Sequence, residues 1–170
     1  MISSAYIRTM EAYNRWMNDR LYDCCSKLSD EERKRDVGAF FKSIHGTLNH
    51  LLLGDRIWLG RFMGKPLVVK SLDQELYSDF TQLRSEREAT DVEISNWISS
   101  LSEDDITGEL SYMSVVDPKL RRIPLWVAVT HFFNHQTHHR GQLTTLLVQR
   151  GIDPGITDLI WLPELQRGST

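Results

Sequence analysis

The chain has few cysteines, and this scarcity restricts how it can be stabilised and which metal ligands it can offer. Its 170 residues include two cysteines, the chain neighbours Cys24 and Cys25. Neighbouring side chains on a helix point in different directions, so we expect neither a disulfide framework nor a cysteine-based zinc site. Any metal site must therefore use histidine or carboxylate ligands.

The chain also lacks long apolar runs and a strong charge of one sign. No segment reaches the roughly 20 apolar residues that span a bilayer, and the N-terminus lacks the basic and apolar regions of a signal peptide. The net charge of −3 at pH 7 provides no basic field for a nucleic acid. These absences predict a cytoplasmic protein whose partners include neither a membrane nor a nucleic acid.

What is present is the composition of an ordinary globular protein. Hydrophobic residues make up 41% and charged residues 25% of the chain, and no repeat or linker divides it. A chain of this length can bury a core without a structural metal, so a metal site would serve function rather than folding.

Helical periodicity predicts four long helices. Apolar residues recur at intervals of three and four in the segments Tyr6–Leu28, Phe40–Phe62, Leu76–Leu101 and Pro124–Gly151. The period changes to that of short strands in residues 107–115 and 120–123. The pattern predicts an all-α four-helix bundle with a short hairpin-like crossover, outside the bundle, before the last long helix.

The last predicted helix holds four of the six histidines, at positions 131, 135, 138 and 139. His139 falls on the apolar face and His135 at its edge, and their i, i+4 spacing stacks them one turn apart. Two stacked imidazoles would each need a polar partner, and one shared ion satisfies both. The glutamate of a His-Glu-x-x-His protease is absent. The spacing therefore predicts a divalent-metal site that is not a zinc protease.

The residues themselves leave the third ligand open. The second predicted helix offers His45 and His50, and periodicity places His45 nearer the apolar face. Asp55 is a carboxylate alternative, or a partner that orients an imidazole through a hydrogen bond. Asn14 could bond to a neighbouring helix or act in the site. Arg87 could hold an anionic ligand or keep its charged end in water at the edge of the bundle.

Two segments resemble the signature of the DinB family. They are LNHLLLGDRIWL at Leu48–Leu59 and NHQTHHRGQL at Asn134–Leu143, and Tyr13–Leu21 resembles the family's first helix. The similarity extends over nearly the whole chain. It implies one DinB-like four-helix-bundle domain over residues 1–170, with up-up-down-down topology, and a homodimer.

The resemblance also implies a set of metal ligands. It assigns His50, eight positions before Trp58, together with His135 and His139. By the same resemblance His131 and His138 lie near the metal without binding it, and His45 is a surface or packing residue. No residue identifies a general base: His138 and the three polar residues at positions 14, 55 and 87 are the candidates near the site.

Three imidazoles would leave an ion such as zinc or nickel with an open position. Relatives in the family look like transferases that use low-molecular-weight thiol cofactors, so the resemblance implies a metal-dependent thiol transferase, with hydrolysis as the neighbouring reaction. The small-molecule substrate is not identified. Two alternatives are a non-catalytic stress protein that binds a metal or a small metabolite, and a structural bundle whose histidines have core partners.

Overall fold

A computed structural model describes residues 2–167; Met1 and residues 168–170, which the single-domain prediction includes, lie outside the described residues. In chain order the helices are α1 (Ser4–Ser26), α2 (Asp30–Lys34), α3 (Ile44–Phe62), α4 (Phe80–Ser100), α5 (Glu103–Thr107), α6 (Leu125–Val148) and α7 (Pro163–Gln166). Strands β1 (Glu109–Met113) and β2 (Leu120–Pro124) lie between α5 and α6, and a 3-10 turn, Leu159–Trp161, precedes α7.

Side-chain caps define where the long helices begin. Ser3, Ser43 and Asp79 each accept a hydrogen bond from the backbone N–H three residues later, at the starts of α1, α3 and α4. Both predicted starts at Phe40 and near Leu76 were too early, because apolar residues in the preceding loops continue the helical spacing without forming helix.

Contacts between side chains establish the directions of the helices. The pairs are His50–His139 and Trp58–His131 for α3 with α6, Asp55–Arg87 and Phe62–Trp97 for α3 with α4, and Asp23–Arg84 and Asn18–Asp91 for α1 with α4. Residue numbers rise together for α3 with α4, so these two helices are parallel, whereas α3 with α6 and α1 with α4 are antiparallel. The predicted all-α four-helix bundle is confirmed, but the helices run up, down, down, up, and the expected up-up-down-down order is wrong.

The connection between α3 and α4 explains this order. Residues 63–79 run back along α3, so that the carbonyl oxygen of Leu72 lies 2.8 Å from His50 and that of Tyr77 lies 2.9 Å from His45. An extended chain of this length easily spans the roughly 28 Å of a 19-residue helix. Helix α4 therefore begins beside the start of α3. The connection of residues 63–79 covers the part of α3 that carries histidines.

The predicted hairpin before the last long helix is confirmed. β1 and β2 pair antiparallel, with Tyr112 opposite Arg121. The expectation that it lies outside the bundle needs refinement, because the Tyr112 ring packs edge-on against Trp58 of α3 with centroids 5.3 Å apart. The hairpin thus closes one side of a cavity along α3.

The apolar core lies between the four long helices and includes fully buried side chains from each. Examples are Leu21 in α1, Leu52 in α3, Leu83 in α4 and Phe133 in α6. Within residues 2–167, none of the helices combines the length and apolar character that crossing a membrane requires.

Candidate metal centre

Three histidines from two helices meet at one point of the bundle. Nε2 of His50 lies 3.2 Å from Nε2 of His135 and 3.2 Å from Nε2 of His139, and ligand atoms of the three residues all lie within 4.8 Å of one another. Two nitrogens bound to one tetrahedral zinc ion at about 2.05 Å are about 3.3 Å apart. The two separations from Nε2 of His50 match that geometry, so the three residues could hold a metal ion.

Hydrogen bonds to the opposite ring nitrogens orient two of the rings. Nδ1 of His50 lies 2.8 Å from the carbonyl oxygen of Leu72, which can only accept, so Nδ1 carries the proton. Nδ1 of His139 lies 2.8 Å from Oε1 of Gln142. A neutral imidazole protonated at Nδ1 presents the lone pair of Nε2. Both Nε2 atoms therefore face the cluster in the form that binds a metal.

Burial keeps the three imidazoles neutral at pH 7. It lowers the pKa of His50 to about 4 and, together with the neighbouring imidazoles, that of His135 to about 3. Burial also lowers the pKa of His139. Since a metal competes with protons for these nitrogens, depressed pKa values favour metal binding.

Two glycines of α3 allow neighbouring groups to approach the cluster. A Cβ at Gly54 would lie 2.8 Å from Cε1 of His135, and a Cβ at Gly46 would overlap the carbonyl oxygen of Phe41. The Phe41 ring stacks on His50 with centroids 3.8 Å apart and planes 17° apart. Phe41 was not predicted from the sequence, although glycines inside a helical pattern can indicate close packing.

Asp55 and Arg87, two of the four other candidates, lie in a buried polar layer rather than among the imidazoles. Asp55 accepts hydrogen bonds from Nη1 of Arg87 at 2.6 Å and from the side-chain amide of Gln136. Arg87 also pairs with Asp91 at 2.8 Å. Asp55 thus makes its hydrogen bonds away from the cluster, and Arg87 is 2% exposed with its charge balanced by two carboxylates.

Asn14 lies in the same layer and accepts a hydrogen bond from the buried guanidinium of Arg140. His138 is exposed, with its ring centroid 4.8 Å from that of His139 and its Nε2 3.4 Å from the amide nitrogen of Gln142. None of the four other candidates therefore places a polar atom in the cluster. Among the described residues, those that orient its rings through hydrogen bonds at Nδ1 are Leu72 and Gln142, and neither was predicted from the sequence.

The two histidines left over occupy different environments. His131 lies between Trp58 and His135, with ring centroids at 4.9 and 6.1 Å. His45 is buried, with Nε2 2.9 Å from the carbonyl oxygen of Tyr77. His45 is therefore a packing residue and not a surface residue.

Cavities open on two sides of the cluster. The first, which we call the α3 cavity, has a volume of about 220 Å³ and is lined by residues that include His50, His131 and His135. The second, of about 580 Å³, is lined by all three clustered histidines together with Phe40 and Phe41. Small molecules could thus reach the histidines from two directions.

Comparisons with known proteins bear on the family and the fold of the chain. The family model described as DinB family matches residues 1–169. Protein DinB of Bacillus subtilis (strain 168) is 25% identical over 149 residues, which cover 86% of this chain and 87% of that protein. The crystal structure of a DinB-like protein from Bacillus cereus ATCC 10987 superposes with a TM-score of 0.62 at 19% identity, covering 84% of this chain and 91% of the other. The last comparison shows a shared fold.

Proposed function

Because this chain belongs to the DinB family, we propose that His50, His135 and His139 bind a divalent transition-metal ion in its bundle. The observation that carries this proposal is the convergence of three Nε2 atoms, two of the separations being 3.2 Å. Imidazole ligands suit zinc, nickel, copper and cobalt, and we propose zinc or nickel as the bound ion.

We further propose that the centre serves a thiol-dependent transferase. Three imidazoles would leave such an ion an open position, and its charge would let a thiol release its proton to solvent and react as the more nucleophilic thiolate. In the transfer, the sulfur lone pair would form a bond to an electrophilic carbon, whose leaving group would depart with its bonding electrons. Low-molecular-weight thiols stay reduced in the cytoplasm, where we place the reaction.

Two features of the chain support a transfer reaction between two substrates that is protected from water. The cavities on either side of the cluster share His50, His135 and Leu72 in their walls, so a thiol and an electrophile could enter from different sides. The Phe41 ring covers one face of His50, and this apolar wall would keep water from the reacting atoms.

Metal analysis tests the first proposal. Purified protein incubated with zinc and then desalted is expected to retain one ion per chain, and His139→Ala to retain none. His138→Ala is the matched control, because it removes an adjacent, exposed histidine and should bind zinc as the wild type does. A wild-type protein without bound metal after reconstitution with zinc and with nickel would contradict the proposal.

Activity measurements then separate the transferase from a non-catalytic metal or metabolite-binding protein. Zinc-loaded and nickel-loaded protein would be assayed for conjugation of 1-chloro-2,4-dinitrobenzene with a panel of low-molecular-weight thiols. We expect acceleration with at least one thiol and none with His139→Ala. Rates equal to those of His139→Ala across the panel, in protein that binds metal, would favour the non-catalytic alternative.

We also propose a homodimer, on the family resemblance alone. Light scattering behind a sizing column should give about twice the mass of the chain. A mass equal to one chain at micromolar concentration would contradict this proposal.

A further inference from the structure

The α3 cavity beside the histidine cluster has an unusual charge distribution. Arg61 is its one formally charged lining residue, and no aspartate or glutamate of residues 2–167 contributes to its wall. The other polar side chains of the wall are histidines, Tyr112 and Ser114. The cavity therefore presents one cation and several hydrogen-bonding groups within apolar surroundings.

Arg61 packs against two aromatic rings that lie next to each other. Its Cζ lies 4.4 Å from the centroid of Trp58 and 4.4 Å from that of Tyr112. The two ring centroids are 5.3 Å apart, so both rings lie on one side of the guanidinium rather than on its two faces, and its five N–H donors lie in the guanidinium plane. The stacked side chain is thus restrained before any ligand arrives, which lowers the entropy cost of binding.

The donors of this guanidinium have no acceptor among residues 2–167, since no hydrogen bond or ion pair joins it to them. Arg20 provides a contrast, because it also stacks on a tryptophan, Trp16, at 4.7 Å. Its guanidinium, however, donates to the carbonyl oxygens of Pro154 and Ile156. Stacking therefore does not by itself keep the donors of an arginine from protein acceptors, and those of Arg61 remain available to a ligand.

Helix geometry directs Arg61 towards the histidine cluster. It follows His50 by 11 residues on α3, a spacing that returns to nearly the same face about 16 Å further along the axis. Side chains of a helix lean towards its N-terminus, so the long side chain of Arg61 leans back towards His50. His131 and Trp58 line the wall between the two ends.

We propose that the α3 cavity binds a small molecule through a carboxylate or similar planar oxyanion, which pairs with the donor edge of Arg61. A carboxylate accepts two parallel hydrogen bonds from a guanidinium. The cavity is smaller than the roughly 300–1,000 Å³ of pockets for drug-sized ligands, so the ligand is a small metabolite. That the rest of the ligand reaches a bound metal rests on the proposed function, whereas the anion contact does not.

The anion contact is tested on metal-free protein with benzoate and its uncharged isostere benzamide. Binding is followed by NMR through the indole N–H signal of Trp58, which Trp58→Phe identifies. We expect benzoate to bind at least tenfold more tightly than benzamide, and Arg61→Gln to reduce the ratio below twofold. Equal binding of both compounds to the wild type, or an unchanged ratio in Arg61→Gln, would overturn the proposal.

Arg122→Gln is the matched control, because it removes the same charge from β2 at an exposed position outside the cavity wall. It should keep the tenfold ratio; a loss equal to that of Arg61→Gln would show a general charge effect and overturn the proposal. Circular dichroism checks the fold of each variant. If Arg61→Gln does not fold, Arg61→Lys replaces it, because lysine keeps the charge but lacks the paired N–H donors of a guanidinium. An unchanged ratio of benzoate to benzamide affinity in this variant would equally overturn the contact.

A second experiment, with cobalt-loaded protein, tests whether the rest of the ligand points towards the metal. Sulfur bound to cobalt gives a charge-transfer absorption, so 6-mercaptohexanoate and 6-mercaptohexanol can be compared at the metal. The carboxylate compound should bind at least tenfold more tightly, and Arg61→Gln should remove the difference; equal affinities would overturn the orientation. A protein that prefers benzoate but binds none of cobalt, zinc and nickel would refute the proposed function and leave the anion contact standing.

Discussion

The three clustered imidazoles differ in how their orientation is maintained. His50 is held by the carbonyl group of Leu72 and by stacking on Phe41, and His139 by the side chain of Gln142. His135 has no hydrogen bond at Nδ1 within residues 2–167, and close packing against Gly54 positions its ring. Substitutions of these supporting residues should therefore weaken the proposed metal binding without removing a proposed ligand.

Gln142→Leu tests the role of the hydrogen bond at Nδ1. Without Oε1 the His139 ring can rotate and adopt the other tautomer, so the zinc affinity should fall about 10- to 100-fold. Isothermal titration with a competing chelator measures this change. Gln149→Leu, at the C-terminal end of α6, is the control and should retain the wild-type affinity; equal affinities in both variants would show that the bond has no role.

The depressed pKa values predict a pH dependence of the metal-free protein. An unfolded histidine has a pKa of about 6.5, whereas the folded values are about 4 for His50 and about 3 for His135. Below pH 6.5 the unfolded chain thus binds more protons, and the unfolding free energy decreases as the pH falls towards 4. Each of the two histidines should lower the unfolding free energy by at most about 2 kcal/mol between pH 6.5 and 5.

Urea unfolding with a chelator at pH 7 and pH 5 measures this loss. Buried carboxylates also titrate in acid, so the comparison is with His135→Gln, which lacks one of the two histidines. The variant should lose less stability between the two pH values than the wild type. A loss of unfolding free energy as large as that of the wild type would contradict the low pKa of His135 in the folded protein.

At the scale of elements, the surface of α3 determines how closely α6 can approach. Gly54 faces His135 directly, and any larger residue would push the ring of His135 away. In α6, Gly141 faces open space, with no heavy atom within 4 Å of a Cβ built there. These two helical glycines thus have different roles, although both cost helix stability relative to alanine.

Gly54→Ala should therefore weaken zinc binding, and we expect a decrease of about tenfold or more, comparable to other disturbed supporting contacts. Gly141→Ala is the control: it should leave zinc binding unchanged and raise the unfolding free energy by about 0.5–1 kcal/mol. Metal titration and urea unfolding measure the two quantities. Unchanged zinc affinity in Gly54→Ala would show that α6 can adjust at this contact.

At the scale of the whole molecule, a buried polar layer joins the four long helices. Arg87 of α4 pairs with Asp55 of α3 and with Asp91, which in turn accepts a hydrogen bond from Asn18 of α1. Gln136 of α6 donates to Asp55. Since every long helix contributes to the layer, it favours one arrangement of the bundle over others with similar apolar contacts.

Arg87→Met removes the central cation of this layer and leaves two carboxylates buried without it. The unfolding free energy should fall by about 3–5 kcal/mol. Arg84→Met, one turn earlier on α4, breaks half-exposed ion pairs with Asp23 and Glu88 and should cost about 1 kcal/mol or less. Urea unfolding of both variants provides the comparison, and similar losses would contradict a structural role for the buried layer.

The sequence by itself determined the features that depend on neighbours along the chain. The apolar spacing located all four long helices, and the alternating segment located the hairpin. The i, i+4 spacing of His135 and His139 placed both rings on one side of α6, since helix geometry is the same wherever a helix lies. Resemblance to a known family then selected His50, which periodicity had not favoured over His45.

Only the tertiary structure decided which distant groups meet. The connection of residues 63–79 changed the expected order of helix directions. It also brought the carbonyl group of Leu72 to His50. Folding also placed Asp55 in the buried layer and Arg61 against Trp58 and Tyr112. These contacts join residues far apart in the chain, and they depend on the packing of whole helices, which local periodicity does not encode.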